Sequence, residues 1–293
     1  MLAEVVQSRL YKWNLKLEEK PVETDSSWVV PVLAEGPGFD GLAGMLKVAK
    51  TSSDERPGMA LLDWWDGIGA VEVLRRDADA ILMPRLDDRP ALGNPDDFDD
   101  ATAFDILVAT TNRLHQRARQ RLATGHREPL PAGLTPLTEI RRHVLDLPLA
   151  KSERLASWRA FAIEFDLVGP SPLPLHGDIH HGNVMHDPAQ GAWVVIDPKG
   201  YVGHPGYDFG NLFFNPLDQP QRVGDPFRMR RLTEAVSAST SSPGEGVVYR
   251  PADILDFAYL YGGFSVSWGA EAYWVEHRMA QFEMIQCLRD EGV

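Results

Sequence analysis

Two aspartates and an asparagine carry the most specific chemistry in this sequence. Asp178 lies in Leu175-His176-Gly177-Asp178-Ile179-His180-His181-Gly182-Asn183-Val184-Met185, with Asn183 five residues on, and Asp197 follows fourteen further along in Trp193-Val194-Val195-Ile196-Asp197-Pro198-Lys199-Gly200. All three fall in loop-like segments between apolar runs, where functional side chains concentrate. Phosphoryl transfer asks for such a set: an Asp accepts or orients the proton of an acceptor hydroxyl, and oxygen donors from an Asn and a second Asp hold magnesium ions that bridge nucleotide phosphates. His176, His180 and His181, with Asp178, also form a set of zinc-type donors, but no His-Glu-x-x-His pattern or cysteine pair accompanies them. A serine nucleophile has less support still. No Gly-x-Ser-x-Gly occurs, and Ser265 sits in a helix-like segment.

The elements that must position these groups fall into two halves. In the first 90 residues, Trp13, Leu15 and Leu17 alternate with polar neighbours, and Trp28–Leu33 and Met45–Ala49 read as strands joined through the turn formers of 36–41. Asp54 and Glu55 open a segment, Met59 to Trp65, whose acidic start suits a helix amino end and which Gly67-Ile68-Gly69 stops. Two more short strands are expected near Val71–Leu74 and Ala80–Met83, making a small sheet with one helix. A polar stretch from Asp87 to Asp100 has the composition of a connector. Beyond it the period changes: Phe104, Leu107, Leu114, Ala118 and Leu122, then Leu155, Trp158, Phe161, Ala162 and Phe165, recur at helical spacing. Pro251 to about Trp268 and Ala270 to about Leu288 read as further helices, and 237–246 as a loop. A small β-rich half and a larger helical half make a bilobal α+β architecture, and ligand sites favour the cleft between lobes.

Composition narrows the partners. The 293 residues carry 42 Asp plus Glu against 29 Lys plus Arg, a formal charge of −13, which argues against nucleic acid, whose phosphates are neutralised by Lys and Arg. No run approaches the length of a membrane span, the first residues lack the pattern of a signal peptide, and a single cysteine, Cys287, gives no disulfide framework. The expected setting is therefore cytoplasmic, with no membrane partner.

His176-Gly177-Asp178 with Asn183, then Ile196-Asp197, resembles the catalytic and metal-binding loops of the aminoglycoside phosphotransferases, relatives of the protein kinases. The fuller form, HGDIHHGNVM with IDPKGYVGHPGYDFGN, is similar to the streptomycin 6-phosphotransferase and hydroxyurea phosphotransferase branch, where IDPKG is the distinguishing variant. The resemblance implies a protein-kinase-like fold, with residues 1–87 as a nucleotide-binding lobe and 88–293 as a catalytic and acceptor-binding lobe. It makes Asp178 the catalytic Asp, Asn183 and Asp197 ligands of Mg2+, and Asp208 a structural Asp that steadies the catalytic loop. It calls for a strand lysine that neutralises the phosphates of ATP, a place Lys47 occupies, since Lys50 at an odd offset faces the other way. Its glutamate partner on the following helix is expected to be Glu55, with Asp54 and Asp63 as alternatives.

Two departures from the protein-kinase pattern stand out. No glycine-rich phosphate loop is present; Thr24-Asp25-Ser26-Ser27 stands in its place, with Ser26 and Ser27 as candidate phosphate donors. Asp197-Pro198-Lys199 replaces Asp-Phe-Gly. Met83-Pro84-Arg85-Leu86 is positioned as the hinge that meets adenine, through the Pro84 carbonyl and the backbone of Leu86, with Met83 as gatekeeper. The implied activity is transfer of the γ-phosphate of ATP to a hydroxyl of a small molecule, an aminoglycoside and foremost the 6-hydroxyl of streptomycin. The alternatives are hydroxyurea, an endogenous sugar or amino alcohol, and a non-catalytic kinase-like binding protein. Against the last, Lys47, Asp178 and Asp197 are all present. A cationic acceptor would meet carboxylates such as Asp218, Asp253, Asp256, Glu271 and Glu276, with Trp268, Tyr273 and Trp274 to cover it.

Overall fold

The computed structural model describes residues 3–35, 41–51, 55–124, 129–240, 248–269 and 272–292. The chain opens with a helix, α1 (Glu4–Trp13), where alternation had suggested a strand start. Val6 and Trp13 lie seven residues apart on one buried stripe, and Asn14 closes the helix in the left-handed region at φ 53°, which Asn tolerates. Strands β1 (Leu15–Leu17), β2 (Val22–Glu23), β3 (Ser27–Ala34) and β4 (Leu42–Ala49) follow, then α2 (Glu55–Trp65), β5 (Arg75–Arg76) and β6 (Ala80–Pro84). The sheet order is β1-β3-β4-β6-β5, with β2 beside β3, all antiparallel. The amino half thus has two helices where one was expected.

The strand expected at Val71–Leu74 is displaced to β5. Its first residues join the other half of the molecule instead: the Val71 N–H donates to Val195 O at 3.0 Å, and Ala70 forms a parallel bridge with Val195. Only from Leu74, whose N–H donates to Leu82 O at 2.8 Å, does the chain return to the sheet. Residues 85–99 hold no helix or strand, in keeping with the connector, and lead into α3 (Asp100–Ala123), capped by Asp99 accepting from the Thr102 N–H at 2.8 Å.

The carboxyl half is built on β7 (Thr135–Pro136), α4 (Leu137–Asp146), α5 (Ala156–Glu164), β8 (Leu173–Leu175), β9 (Val184–Asp187), β10 (Ala192–Val195), β11 (Tyr201–Gly203), α6 (Tyr207–Gly210), α7 (Pro220–Val223), α8 (Pro226–Thr240), α9 (Pro251–Trp268) and α10 (Ala272–Asp290). Helix α8 runs to Thr240, so 237–240 are helical where a loop was expected, and 241–247 lie outside the described residues, as do residues 36–40 of the first turn. Buried side chains form two clusters. One packs α1 under the sheet face that carries Val30, Val32, Leu46 and Val48; the other joins α2 to the helices of the carboxyl half through Leu61, Trp65, Phe104, Leu107 and Tyr207. Because strand residues alternate, that arrangement turns Met45 and Lys47 of β4 toward the cleft. None of the described helices is long and apolar enough to cross a membrane.

Candidate active site

The cleft assembles from four backbone devices. On β4, Lys47 is 7 % exposed, and its ammonium group reaches Glu55 Oε2 at 2.5 Å and also Asp197 Oδ1. Lys50 instead pairs with Glu23 at 2.9 Å and lies over the Trp28 ring, and Asp63 pairs with Arg76 at 2.8 Å. Asp54 lies outside the described residues. Helix α2 reaches the site through glycine: a Cβ on Gly58 would stand 1.9 Å from Pro198 O, and one on Gly200, at φ +74°, would stand 2.8 Å from the Gly58 nitrogen. Two backbones therefore touch where α2 meets the Asp197 loop, which brings Glu55, one turn earlier, within reach of Lys47. Asp197 itself takes a left-handed backbone at φ 59°, a strain that the surrounding contacts hold.

The catalytic-loop candidate is fixed from below. Asp208, at the start of α6, is 1 % exposed and accepts from the Gly177 N–H at 2.7 Å and the His176 N–H at 3.2 Å, with His115 Nε2 2.9 Å away. His176 Nε2 lies 2.7 Å from Ile196 O, and the Lys199 N–H donates to His176 O at 2.7 Å, so the two candidate loops are stitched together. The Asp178 carboxylate receives Asn211 Nδ2 at 2.8 Å on Oδ1 and faces Lys199 Nζ at 3.4 Å from Oδ2. Asn183 donates Nδ2 to Asp178 O at 2.9 Å, which leaves its amide oxygen as an acceptor. The β9–β10 hairpin, with Val184 opposite Val195, sets Asn183 beside the start of the Asp197 loop, and the Ile196 N–H donates to Asn183 O at 2.9 Å.

Neighbouring charges favour the ionised forms of Asp197 and Lys199. Burial works to raise the Asp197 carboxyl, yet Lys47 and then Lys199 hold it below the usual carboxylate range. Burial works to lower Lys199, yet Asp178, Asp197 and Glu55 hold it above the usual lysine range. An amide oxygen and a carboxylate are the hard donors that Mg2+ takes together with phosphate oxygens and water, so the pair Asn183 and Asp197 fits that ion. Among the described residues there is no group of three His, Cys, Asp or Glu side chains placed to hold a metal by themselves.

A cavity of about 200 Å³ lies beside Lys47 and Asp197, walled by Val29, Met45, Met83, Met185 and Ile196 and edged by Pro84 and Leu86. Its apolar lining suits a heteroaromatic ring. The three hinge residues therefore meet Lys47 and Asp197 in one space; the Arg85 N–H is already committed to Ala43 O at 3.0 Å. A second cavity, of about 490 Å³, opens between Ser26, Glu55, Lys199 and Tyr201 and the α4 residues Glu139, Arg142 and His143.

A family model described as aminoglycoside/hydroxyurea antibiotic resistance kinase matches residues 12–272. The chain belongs to that family. It is a phosphotransferase with a protein-kinase-like α+β fold. This kinase is 33 % identical to a streptomycin 3''-kinase of Klebsiella pneumoniae over 88 % of its own length and 89 % of the relative's. It is 31 % identical to a streptomycin 6-kinase of Streptomyces griseus, covering 75 % of its own chain and 69 % of that one. In fold it matches an aminoglycoside phosphotransferase, APH(4)-Ia, solved in a ternary complex with ADP and hygromycin B, at a TM-score of 0.58 and 11 % identity over 97 % of this chain and 98 % of the other.

Not every residue singled out in the kinase's sequence reaches the cleft with free atoms. Ser27 is 1 % exposed, its N–H donates to Thr24 Oγ1 at 3.0 Å and its hydroxyl lies 3.2 Å from the same oxygen, so it closes its own turn and offers nothing to a phosphate. Ser26 does face the site, but its hydroxyl donates to Glu55 Oε1 at 2.5 Å, which makes it the holder of that glutamate. The carboxylates expected to meet a cation are taken: Asp253 by Arg250 at 2.7 Å, Asp256 by Arg289 at 2.7 Å and Glu276 by Arg154 at 2.8 Å. Asp218 is exposed, Trp268 packs against Tyr261 and Phe264, and Glu271 and the side chains of Tyr273 and Trp274 lie outside the described residues. Asn211, Lys199, His115 and Gly58 are the site's unforeseen members. Asn211 and Lys199 lie inside the quoted motifs, so their nearness in sequence was the available signal.

His181 is a buried neighbour with a measurable consequence. It is 6 % exposed, neither ring nitrogen has a hydrogen-bond partner among the described residues, and burial, with Arg228 and Arg222 nearby, lowers its pKa to about 3. The unfolded chain takes up this proton near pH 6.5 while the folded protein does not, so stability falls with pH between about 6.5 and 3, by about 1.4 kcal/mol per unit from this residue. Urea unfolding from pH 7 to 4 should show a shallower slope in His181→Leu than in the wild type; equal slopes would refute this.

Proposed function

We propose that this protein transfers the γ-phosphate of ATP to a hydroxyl of streptomycin, with the 6-hydroxyl as the first choice. The observation that carries this is that Lys47 reaches both Glu55 and Asp197, that Asn183 bonds Asp178 and the start of the Asp197 loop, and that Lys47 and Asp197 line one neighbouring cavity and Glu55 and Lys199 the other. In this reading residues 1–87 form the nucleotide-binding lobe, with adenine between Val29 and Met185 and against the Pro84 and Leu86 backbone, and residues 88–293 form the catalytic and acceptor-binding lobe. Lys47, held by Glu55, meets the α and β phosphates. Asn183 and Asp197 hold Mg2+, which when bound supplies positive charge to the phosphate oxygens.

Asp178, held by Asn211, orients the acceptor hydroxyl and takes its proton as the oxygen attacks phosphorus. The new O–P bond forms as the bond from the γ-phosphorus to the β,γ-bridging oxygen breaks, and that oxygen keeps the electron pair in ADP. The acceptor enters through the cavity beside Lys199 and α4. Two relatives named as streptomycin kinases support this acceptor, although their names differ in the hydroxyl. Hydroxyurea is the second reading, favoured by a 26 % identical relative named hydroxyurea phosphotransferase.

The test is ADP release with streptomycin, other aminoglycosides, hydroxyurea and simple sugars, with phosphorus NMR to locate the phosphate. Streptomycin should raise turnover well above that of Asp178→Asn, and its kcat/KM should fall with added salt because a charge of −13 attracts a polycation, whereas hydroxyurea should scarcely respond. If no acceptor raises turnover above the variant's, the reading fails.

A further inference from the structure

We propose that Lys199 is a further phosphate-binding residue, whose ammonium group leaves the Asp178 carboxylate when nucleotide binds and meets the terminal phosphoryl group as it moves to the acceptor. This deepens the kinase reading of the cleft and rests on it.

Position is the first ground. The Lys199 backbone is held from two sides: its N–H donates to His176 O at 2.7 Å, and the next residue, Gly200, lies against the α2 backbone. The start of the side chain is thus fixed relative to Asp178 and Asp197 alike. Its far end is not: the side chain is 44 % exposed and faces the 490 Å³ cavity.

The second ground is the looseness of its contact. Lys47 is engaged by two carboxylates, one at 2.5 Å, whereas Lys199 Nζ stands 3.4 Å from Asp178 Oδ2. A committed ammonium–carboxylate hydrogen bond closes to about 2.7–2.9 Å, so the Lys199 pair has reach to spare.

The third ground is what the neighbouring loop lacks. Between Asp178 and Asn183 the ring-bearing side chains are His180, whose Nδ1 accepts from the Gly182 N–H at 3.0 Å, and His181, which is 6 % exposed, so neither presents a cation to the cleft. Arg278, also within electrostatic range of Asp178, is turned to Phe214 O at 2.7 Å. A phosphoryl group in flight spreads negative charge over three oxygens, which a cation near its path stabilises. Lys199 stands there, while Lys47 serves the nucleotide end.

The experiment compares Lys199→Met and Lys199→Arg with the wild type by calorimetric binding of Mg·ADP and of a non-hydrolysable Mg·ATP analogue, alongside kcat against pH. Lys199→Met should bind Mg·ADP within about twofold of wild type, lose about tenfold or more for the analogue, and lose about 100-fold in kcat, the order found when one transition-state donor is removed. Lys199→Arg should recover part of both losses. Equal binding of the analogue by wild type and Lys199→Met would overturn the proposal, as would a change confined to the acid limb of the pH profile, which would mean that Lys199 acts only through Asp178. A wild type that neither binds nucleotide nor releases ADP would instead sink the kinase reading itself.

Discussion

Asp178→Asn should lower kcat by about three orders of magnitude, within the range that a positioned general base contributes, with little change in melting temperature or in Mg·ADP affinity. The substitution is nearly isosteric. Asn211 can still donate to the remaining amide oxygen, and the residue is partly exposed, so the packing of the loop on Asp208 is untouched. What disappears is the proton acceptor and the anionic partner of Lys199. Steady-state ADP release with saturating acceptor gives the first quantity, and thermal unfolding with nucleotide titration the others. A variant that keeps more than a tenth of wild-type kcat would remove Asp178 from the chemistry and leave it a positioning role.

Asp208→Ala should be the most destabilising single change at the site, at about 3–5 kcal/mol. The carboxylate is buried and serves three neighbours, the N–H groups of His176 and Gly177 and the ring of His115. Alanine would leave two buried N–H donors and one imidazole without a partner, each a desolvation cost that no water in a closed core offsets. The melting temperature should drop by about 10 °C, taking about 2–4 °C per kcal/mol for a chain approaching this size. Activity should fall too, because Gly177 sits at φ +82° with its backbone packed against Tyr201, and the loop that presents Asp178 relies on that anchor. Asp208→Asn keeps one acceptor oxygen but turns an NH2 toward another donor, so it should fall between the two. Differential scanning calorimetry would decide; a loss below 1 °C in Asp208→Ala would show that the anchor is elsewhere.

Much of this site was legible before any fold was known. Residue type and spacing single out Asp178, Asn183 and Asp197 as candidates, and the family resemblance adds Asp208 and calls for a strand lysine, a place Lys47 takes in the order of strands. Local patterns also located α2, α3, α5 and α9, where apolar periodicity and turn formers agree. Legibility failed where partners come from afar. Val71 looked like a sheet residue, but it pairs with Val195 in the other half. Ser27 looked available for phosphate, but Thr24 closes the turn on it. The acidic side chains of α9 and α10 looked free, but Arg250, Arg289 and Arg154 hold them.

By itself, then, the amino-acid sequence determined which reactive groups this kinase owns and the order in which they meet the chain, because helix, strand and turn preferences act over a few residues. Only the tertiary structure decided which groups neutralise one another. Lys47 and Asp197 are 150 residues apart, and their meeting depends on how closely two backbones approach at Gly58 and Gly200. Contacts of that kind follow from packing shape, which no local period encodes. The same packing left Lys199 at the mouth of the site, facing Asp178 with room to move.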